Sequence, residues 1–445
     1  GGDRGGVRDV RGGVLVSRRS RLNPVATAGD LAVNTSMTRR GSVQRNRPVQ
    51  QMLGYFGSSS HGWGLHAVGG TCVNDTSVTG LGTQSIKMQP LASNNCWIDS
   101  PDLSNIDLTN KLLRLWFRYT GGITSIMVQP SNTTDFSNNR AQFSFLDSGY
   151  TSDSQDAVVD IPISEFVSNV GTFDKTAMTK IRIVANGDAS ATGICWAQGL
   201  AIVSDAVSTL PNGCVIFSAD DSFKTQLTFM APNLARYGYA ATLYPMVSAL
   251  TDGSGSHMTV DDALTLQNVF GWDIGYHALD QDHHADHSGW TEAQLRAHFE
   301  AIIAQQTAWG FRGRSFAWPL SLSSVLSRRV AADYFTTSRG GSTVAPETFP
   351  PVQPQNFRSI NSGGGAKSLA QLKAYVDRAK AGHCAVHFLF HDFTTSGSPA
   401  AYQNIQSEFT DLVDYIAAQG VPVYTQSQYD TLAIQPSTTI RGGTP

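Results

Sequence analysis

The stretch Cys214-Val-Ile-Phe-Ser-Ala-Asp220-Asp221 is a short apolar run that stops at two adjacent carboxylates, just before a helix-like segment. Along a regular strand consecutive side chains point to opposite faces, so both carboxylates can serve one site only where the strand ends and the backbone turns. Strand ends are where α/β barrels place their chemistry. One carboxylate could then hold a metal ion while the other stays free as a base, provided that imidazoles arrive from elsewhere. An isolated Asp-Asp is ordinarily a pair of solvated turn residues, so its meaning depends on the rest of the chain.

Beyond Asp221 short apolar runs alternate with helix-like segments: Ala240-Ala-Thr-Leu-Tyr244, Trp272-Asp-Ile-Gly-Tyr276, Ser315-Phe-Ala-Trp318, Tyr334-Phe-Thr-Thr337, Ala385-Val-His-Phe-Leu-Phe390 and Val421-Pro-Val-Tyr424. Helix starts lie between several of them. Thr259 precedes Asp262, Thr291 precedes Gln294 and Ser368 precedes Gln371, each at the spacing of a capping box. Strand-helix alternation over this length predicts a parallel sheet closed into a barrel of seven or eight strands.

The preceding part is different. From Met52 to Ser204 it is rich in Ser, Thr, Asn and Gly, and short alternating runs such as Leu113-Arg-Leu-Trp-Phe-Arg-Tyr119 and Lys180-Ile-Arg-Ile-Val184 are separated by Thr120-Gly-Gly122 and Asn186-Gly-Asp188. That pattern predicts an all-β sandwich of the kind that binds sugars or joins domains. Trp63, Trp97 and Trp196 could stack on sugar rings, although core packing is the better account for at least two of them. Ser204 to Pro211 reads as a linker. The expected organisation is a basic arm over 1–51, the sandwich over 52–205, the barrel over 206–435 and a tail over 436–445.

A chain of 445 residues with 41% hydrophobic content can build two or three domains. A net charge of -3 and a pI near 6.4 argue against a nucleic-acid footprint over the whole molecule. The first fifty residues are the exception, with ten Arg against three Asp, and read as a flexible or partner-ordered arm. The five cysteines have no metal-ligand spacing; Cys72 and Cys96 could pair in an oxidising compartment, but buried free thiols are favoured. No apolar stretch approaches a membrane span, and no secretory signal is visible.

Two histidine clusters complete the picture. His277 directly follows an apolar run, and His283, His284 and His287 follow it, which puts four of the chain's eleven histidines within eleven residues. Neutral imidazole is a common zinc ligand. The other cluster, His387-Phe-Leu-Phe-His391-Asp392, also sits at a predicted strand end, with His391 at the tip.

At this point the chain resembles the polysaccharide deacetylases of the NodB-homology type, carbohydrate esterase family four. Val215-Ile-Phe-Ser-Ala-Asp220-Asp221-Ser is similar to the family's first motif. Five further stretches agree in order and spacing: Leu234 to Tyr244, Gly271-Trp-Asp-Ile-Gly-Tyr-His277, Phe316-Ala-Trp-Pro319, Phe388-Leu-Phe-His391-Asp392 and Tyr415 to Thr425. The resemblance covers about 206–435 and implies a distorted, TIM-like barrel.

It also implies roles. Asp220 would be the general base, Asp221 and His277 ligands of one divalent metal, zinc first among the candidates, and His391 the general acid. The family's second histidine lies four residues after the first, where this chain has Gln281. Counting back from Thr291 makes His284 the second ligand, with His283 as competitor. A backbone N–H near Asp221 or the Trp318-Pro319 turn would face the developing oxyanion, and Trp318 could be a sugar platform or a packed rim residue. The Arg that often opens the third motif is replaced by Phe316-Ala317, and no fourth motif to orient Asp220 is visible. The implied activity is hydrolysis of N-acetyl, or O-acetyl, groups of a polysaccharide, with no nucleic acid or membrane span involved. The layout of arm and sandwich resembles that of a phage tail spike or other surface-attached carbohydrate enzyme, which implies an extracellular, cell-surface or virion-associated protein that could be attached through its arm. A barrel that has lost its metal and only binds glycan, and a different amide hydrolysis on the same fold, remain open readings.

Overall fold

A computed structural model describes residues 49–144, 156–205, 209–342 and 346–433. The basic arm lies outside these residues except for 49–51, and the 436–445 tail lies outside them entirely. The first strand, Val49–Tyr55, begins inside the stretch assigned to the arm.

Residues 49–205 form two six-stranded antiparallel sheets. In one, Cys195–Ser204 pairs with Lys111–Tyr119 along one edge and with Val49–Tyr55 and Ser85–Pro90 along the other. In the second, Lys180–Gly187 lies between Ile123–Ser131 and Asn95–Asp99. The alternation along Lys111–Tyr119 explains the packing. Leu113, Leu115, Phe117 and Tyr119 enter an apolar cluster that gathers side chains from both sheets, whereas Trp116 packs with Val158 and Ala201 on the other face. Trp63 and Trp196 are core residues whose indole N–H groups donate to the Leu53 carbonyl (2.9 Å) and to Asp75 Oδ2 (2.8 Å). Trp97 lies between the His66 ring and the Arg182 guanidinium. All five cysteines are free and buried.

From Cys214 onward every strand pairing in the sheet is parallel. The strands are β1 (Cys214–Asp220), β2 (Thr242–Tyr244), β3 (Asp273–Ile274), β4 (Ser315–Ala317), β5 (Thr337–Ser342), β6 (Phe357–Asn361), β7 (Ala385–Phe390) and β8 (Val423–Tyr424). Their spatial order is β3-β2-β1-β7-β6-β5-β4, with β8 beside the start of β1. The sheet curls until its two edges meet: Tyr276 N–H donates to the Ser315 carbonyl (2.9 Å) and Ala317 N–H to the Tyr276 carbonyl (2.8 Å). Glycine makes that seam possible, because a Cβ on Gly313 would stand 1.8 Å from the Ile274 carbonyl oxygen. A parallel sheet closed in this way is consistent with the expected (β/α) barrel.

The predicted caps form. Thr259, Thr291 and Ser368 make capping boxes with Asp262, Gln294 and Gln371 at the starts of α1 (Val260–Asn268), α2 (Glu292–Ala308) and α4 (Leu369–Gly382). Between them α3 spans Val325–Ala331; α5 (Gln406–Ala418) and α6 (Gln426–Ala433) follow. Two strand expectations need correction. Tyr334 and Phe335 terminate α3, with Phe335 N–H returning to the Ala331 carbonyl (2.8 Å), so the strand starts at Thr337. The sequence reading also passes over β6, because Arg358 and Ser359 interrupt its apolar character. Contacts between the two halves include Arg378 with Glu165 (2.9 Å) and His383 with Asp205 (2.7 Å). Among the described residues no helix is long and apolar enough to cross a membrane.

Candidate metal centre and active site

β1 is buried throughout and delivers Asp220 and Asp221 to one end of the barrel. The chain then leaves the strand with two successive non-glycine residues of positive φ, Asp221 (64°) and Ser222 (66°). Such backbone is costly, of order 1–3 kcal/mol per residue, and is retained where the surroundings over-determine it. Here Asp221 N–H donates to the Tyr244 carbonyl (3.2 Å) and the Ser222 carbonyl accepts from Met258 N–H (2.8 Å). The turn is what sends the two carboxylates to one site.

His277 extends the β3 line, and His284 arrives by a turn. The His283 and His284 N–H groups both donate to the Asp280 carbonyl (3.2 and 2.9 Å), and the exposed Gln281 and Asp282 are looped outward. This accommodates the three extra residues relative to the four-residue spacing. One donor atom each of Asp221, His277 and His284 lie within 4.8 Å of one another. His277 Nε2 and His284 Nε2 are each 3.5 Å from Asp221 Oδ1. His283 instead holds Asp280 Oδ1 through Nδ1 (2.6 Å) and stacks on His298. The adjacent histidines therefore face different surroundings.

The donor set fits a divalent cation. His277 Nδ1 lies 2.8 Å from the Ala317 carbonyl, which accepts only if that nitrogen carries the proton. In the neutral ring the Nε2 lone pair then faces a carboxylate oxygen, and Asp221 Oδ1 is buried with no hydrogen-bond partner. A proton or a cation must bridge that pair. Burial would raise the Asp221 carboxyl, but the neighbouring imidazoles of His277, His391 and His284 hold it well below the usual carboxylate range. His277, although burial lowers it, is raised by Asp221, Asp220 and the Ala317 carbonyl, while His284 is lowered by its own burial and by His277.

Asp220 does not join this set. Its Oδ2 accepts from Nη2 of Arg339, and Oδ1 has no hydrogen-bond partner in the protein. Arg339 is a residue that the sequence reading missed: it comes from β5, two strands beyond β7, and its guanidinium lies 5.3 Å from the centroid of the Tyr244 ring. Gln226 was missed as well. Its Nε2 donates to the carbonyls of both Asp220 (2.5 Å) and His391 (2.8 Å) and so ties two strand ends together. It opens a π-helical turn, Gln226–Met230, a form often found at functional sites. His391 stands at the end of β7 with Nε2 3.9 Å from Asp221 Oδ2.

One expectation is corrected. Trp318 is 1% exposed, with its indole N–H donating to the Gln355 carbonyl (2.9 Å) and Phe299 and Phe316 against its ring, so it is a packed rim residue and offers no face to a sugar. The N–H groups of Asp221 and Trp318 are spent on the Tyr244 and Arg339 carbonyls, so a backbone N–H for the developing oxyanion would come from a neighbouring residue of either turn.

No protein-family model and no curated protein matches the chain. Among solved structures it is similar to a family 4 carbohydrate esterase from Streptomyces lividans, at 15% identity over 47% of this chain and 91% of that one, with a TM-score of 0.33. It is also similar to the CE4 domain of a multidomain xylanase from the hindgut metagenome of Trinervitermes trinervoides, at 15% identity over 51% and 93%, TM-score 0.33. A CE4 family pseudoenzyme from Bacillus anthracis matches at 12% identity over 49% and 66%, TM-score 0.36. These three solved structures are all described as members of carbohydrate esterase family 4, one of them a pseudoenzyme.

Proposed function

We propose that this chain is a metal-dependent hydrolase that removes acetyl groups from a polysaccharide. The observation that carries the reading is the division of labour at one strand end: Asp221 groups with His277 and His284, while Asp220, its neighbour, is turned to Arg339. In this reading residues 206–435 are the catalytic unit, and 52–205 is a β-sandwich that holds glycan or a partner beside it.

Asp221, His277 and His284 would hold the cation, which when bound would polarise the acetyl carbonyl and acidify a water molecule. Asp220 takes the proton of that water on Oδ1, the oxygen with no partner in the protein, while Arg339 holds Oδ2 and fixes the carboxylate. The new bond joins the water oxygen to the acetyl carbon, and the bond from that carbon to the sugar nitrogen or oxygen breaks. His391, at the tip of β7 with Nε2 3.9 Å from Asp221 Oδ2, delivers a proton to the departing atom, leaving acetate and a free amine or hydroxyl. Gln226 keeps base and acid in register, because its one amide bridges both strand ends.

Acetate release from N-acetylglucosamine hexamer and from acetylated xylan, with and without chelator, tests the proposal. Release that disappears with chelator and returns on adding zinc is expected. Binding of either glycan without release, by protein that contains no metal, would favour the binding-only reading.

A further inference from the structure

Trp318 is packed inward and offers no face to a sugar, whereas Tyr402 is an exposed aromatic residue among those described. We infer that Tyr402, backed by Phe223, is the platform for a pyranose ring on the leaving-group side of the site; this rests on the deacetylase reading above.

Four observations place and shape the platform. The segment Gln403–Ile405 pairs in parallel with Asp392–Thr394, directly after His391, and Asp392 N–H donates to the Tyr402 carbonyl (3.2 Å). Asp392 then clips that segment to the Asp221 turn: Oδ2 accepts from Gln403 Nε2 (2.9 Å) and Oδ1 from the Thr225 hydroxyl (2.6 Å). The loop rests directly on glycine backbone, since a Cβ on Gly364 would meet Ala401 Cα at 2.8 Å. Finally, the Tyr402 ring lies over Phe223, two residues after Asp221, with centroids 5.6 Å apart and planes 11° from parallel.

Tyr402 is nonetheless 48% exposed. One face is covered by Phe223, which leaves the other face and the ring edge to the solvent, and the stacking holds the ring in place before any ligand arrives. Among the described residues its phenol makes no hydrogen bond, so the ring is positioned by its backbone and its stacking. Leu320 and Leu322, on the loop that follows Trp318, are exposed too, but they present no flat face. A fixed aromatic face next to the strand tip that carries His391 suits the apolar face of a sugar, and its rigidity spares the cost of ordering it on binding.

The test compares Tyr402→Ala, Tyr402→Leu and Tyr402→Phe using N-acetylglucosamine hexamer and acetylated xylan oligosaccharides. For whichever is hydrolysed, KM in the Ala variant should rise roughly threefold to tenfold, the scale of one aromatic stacking contact, with the change in KM rather than kcat. Leu keeps apolar bulk without the flat face and should resemble Ala; Phe should stay within about twofold of the parent, because the hydroxyl is not used. An unchanged KM in Ala and Leu, or a Phe variant as impaired as Ala, overturns the proposal. If the parent releases no acetate, the deacetylase reading fails by itself and calorimetric binding of the same oligosaccharides decides the platform. Three- to tenfold weaker binding by Ala supports it; equal affinity, or no binding by the parent, overturns it.

Discussion

Replacing Arg339 by Met tests whether this arginine acts through Asp220. The two side chains are almost completely buried, 1% and 4% exposed, and their single contact runs from Nη2 to Oδ2. Arg339→Met keeps much of the side chain's length and apolar contact but leaves a carboxylate buried without its cation. Breaking a buried pair from one side costs about 3–5 kcal/mol. For a folding unit of this size that corresponds to a fall in melting temperature of about 10 °C. Asp220→Asn should cost a similar amount by stranding the guanidinium. The double variant Asp220→Asn/Arg339→Met has neither charge and should be more stable than the sum of the single losses predicts, by about 2–3 kcal/mol. Urea unfolding of the four proteins, followed by fluorescence, measures this coupling. If Arg339→Met costs as much in the Asp220→Asn background as in the parent, the arginine is not held for the aspartate, and its assigned role in fixing the base is wrong.

Metal content gives a second check: Asp221→Ala and His277→Ala should lose the roughly one equivalent of zinc expected of the parent, His284→Ala should lose most of it, and His283→Ala should keep it, as measured by elemental analysis after dialysis. A His283→Ala protein without metal alongside a loaded His284→Ala protein would reverse the ligand assignment. A third prediction concerns Asp430 on α6, buried against Gln426 and against the hydroxyl of Thr337, the first residue of β5. Burial pushes its carboxyl up to about 7, against the lowering effect of those two donors. A carboxyl raised on folding favours the folded state only while protonated, so its contribution is present in full below the unfolded value near 4 and is lost as pH rises to about 7. The loss is at most about 4 kcal/mol. Asp430→Asn should therefore narrow the difference in melting temperature between pH 5 and pH 8; an unchanged difference would show that Asp430 does not titrate in that range.

Local features were legible in the chain because contiguous residues determine them. The capping boxes at Thr259, Thr291 and Ser368 each involve side chain and backbone three positions apart, and β1 is an unbroken apolar run between a turn and two carboxylates. Asp220, Asp221, His277 and His391 could be singled out because each stands at the end of such a run. Arg339 could not. Its strand, Thr337-Ser-Arg-Gly-Gly-Ser342, has no apolar residue to mark it, and the contact with Asp220 exists only because the sheet closes and brings β5 across from β1. The choice between His283 and His284 turns on which side of the Asp280 turn each ring emerges, and Trp318 faces inward because it shares a face with Phe316 and packs on it.

The kind of elements, their order and the strand ends where chemistry would gather can be read from neighbouring residues, because capping and hydrophobic periodicity act over a few positions. The folded chain settles which carboxylate meets the imidazoles and which meets Arg339, that Gln226 joins two strand ends, and that Tyr402 is exposed where Trp318 is packed. Those choices depend on barrel closure and on two left-handed residues at Asp221 and Ser222, through which side chains far apart in the chain come within hydrogen-bonding distance.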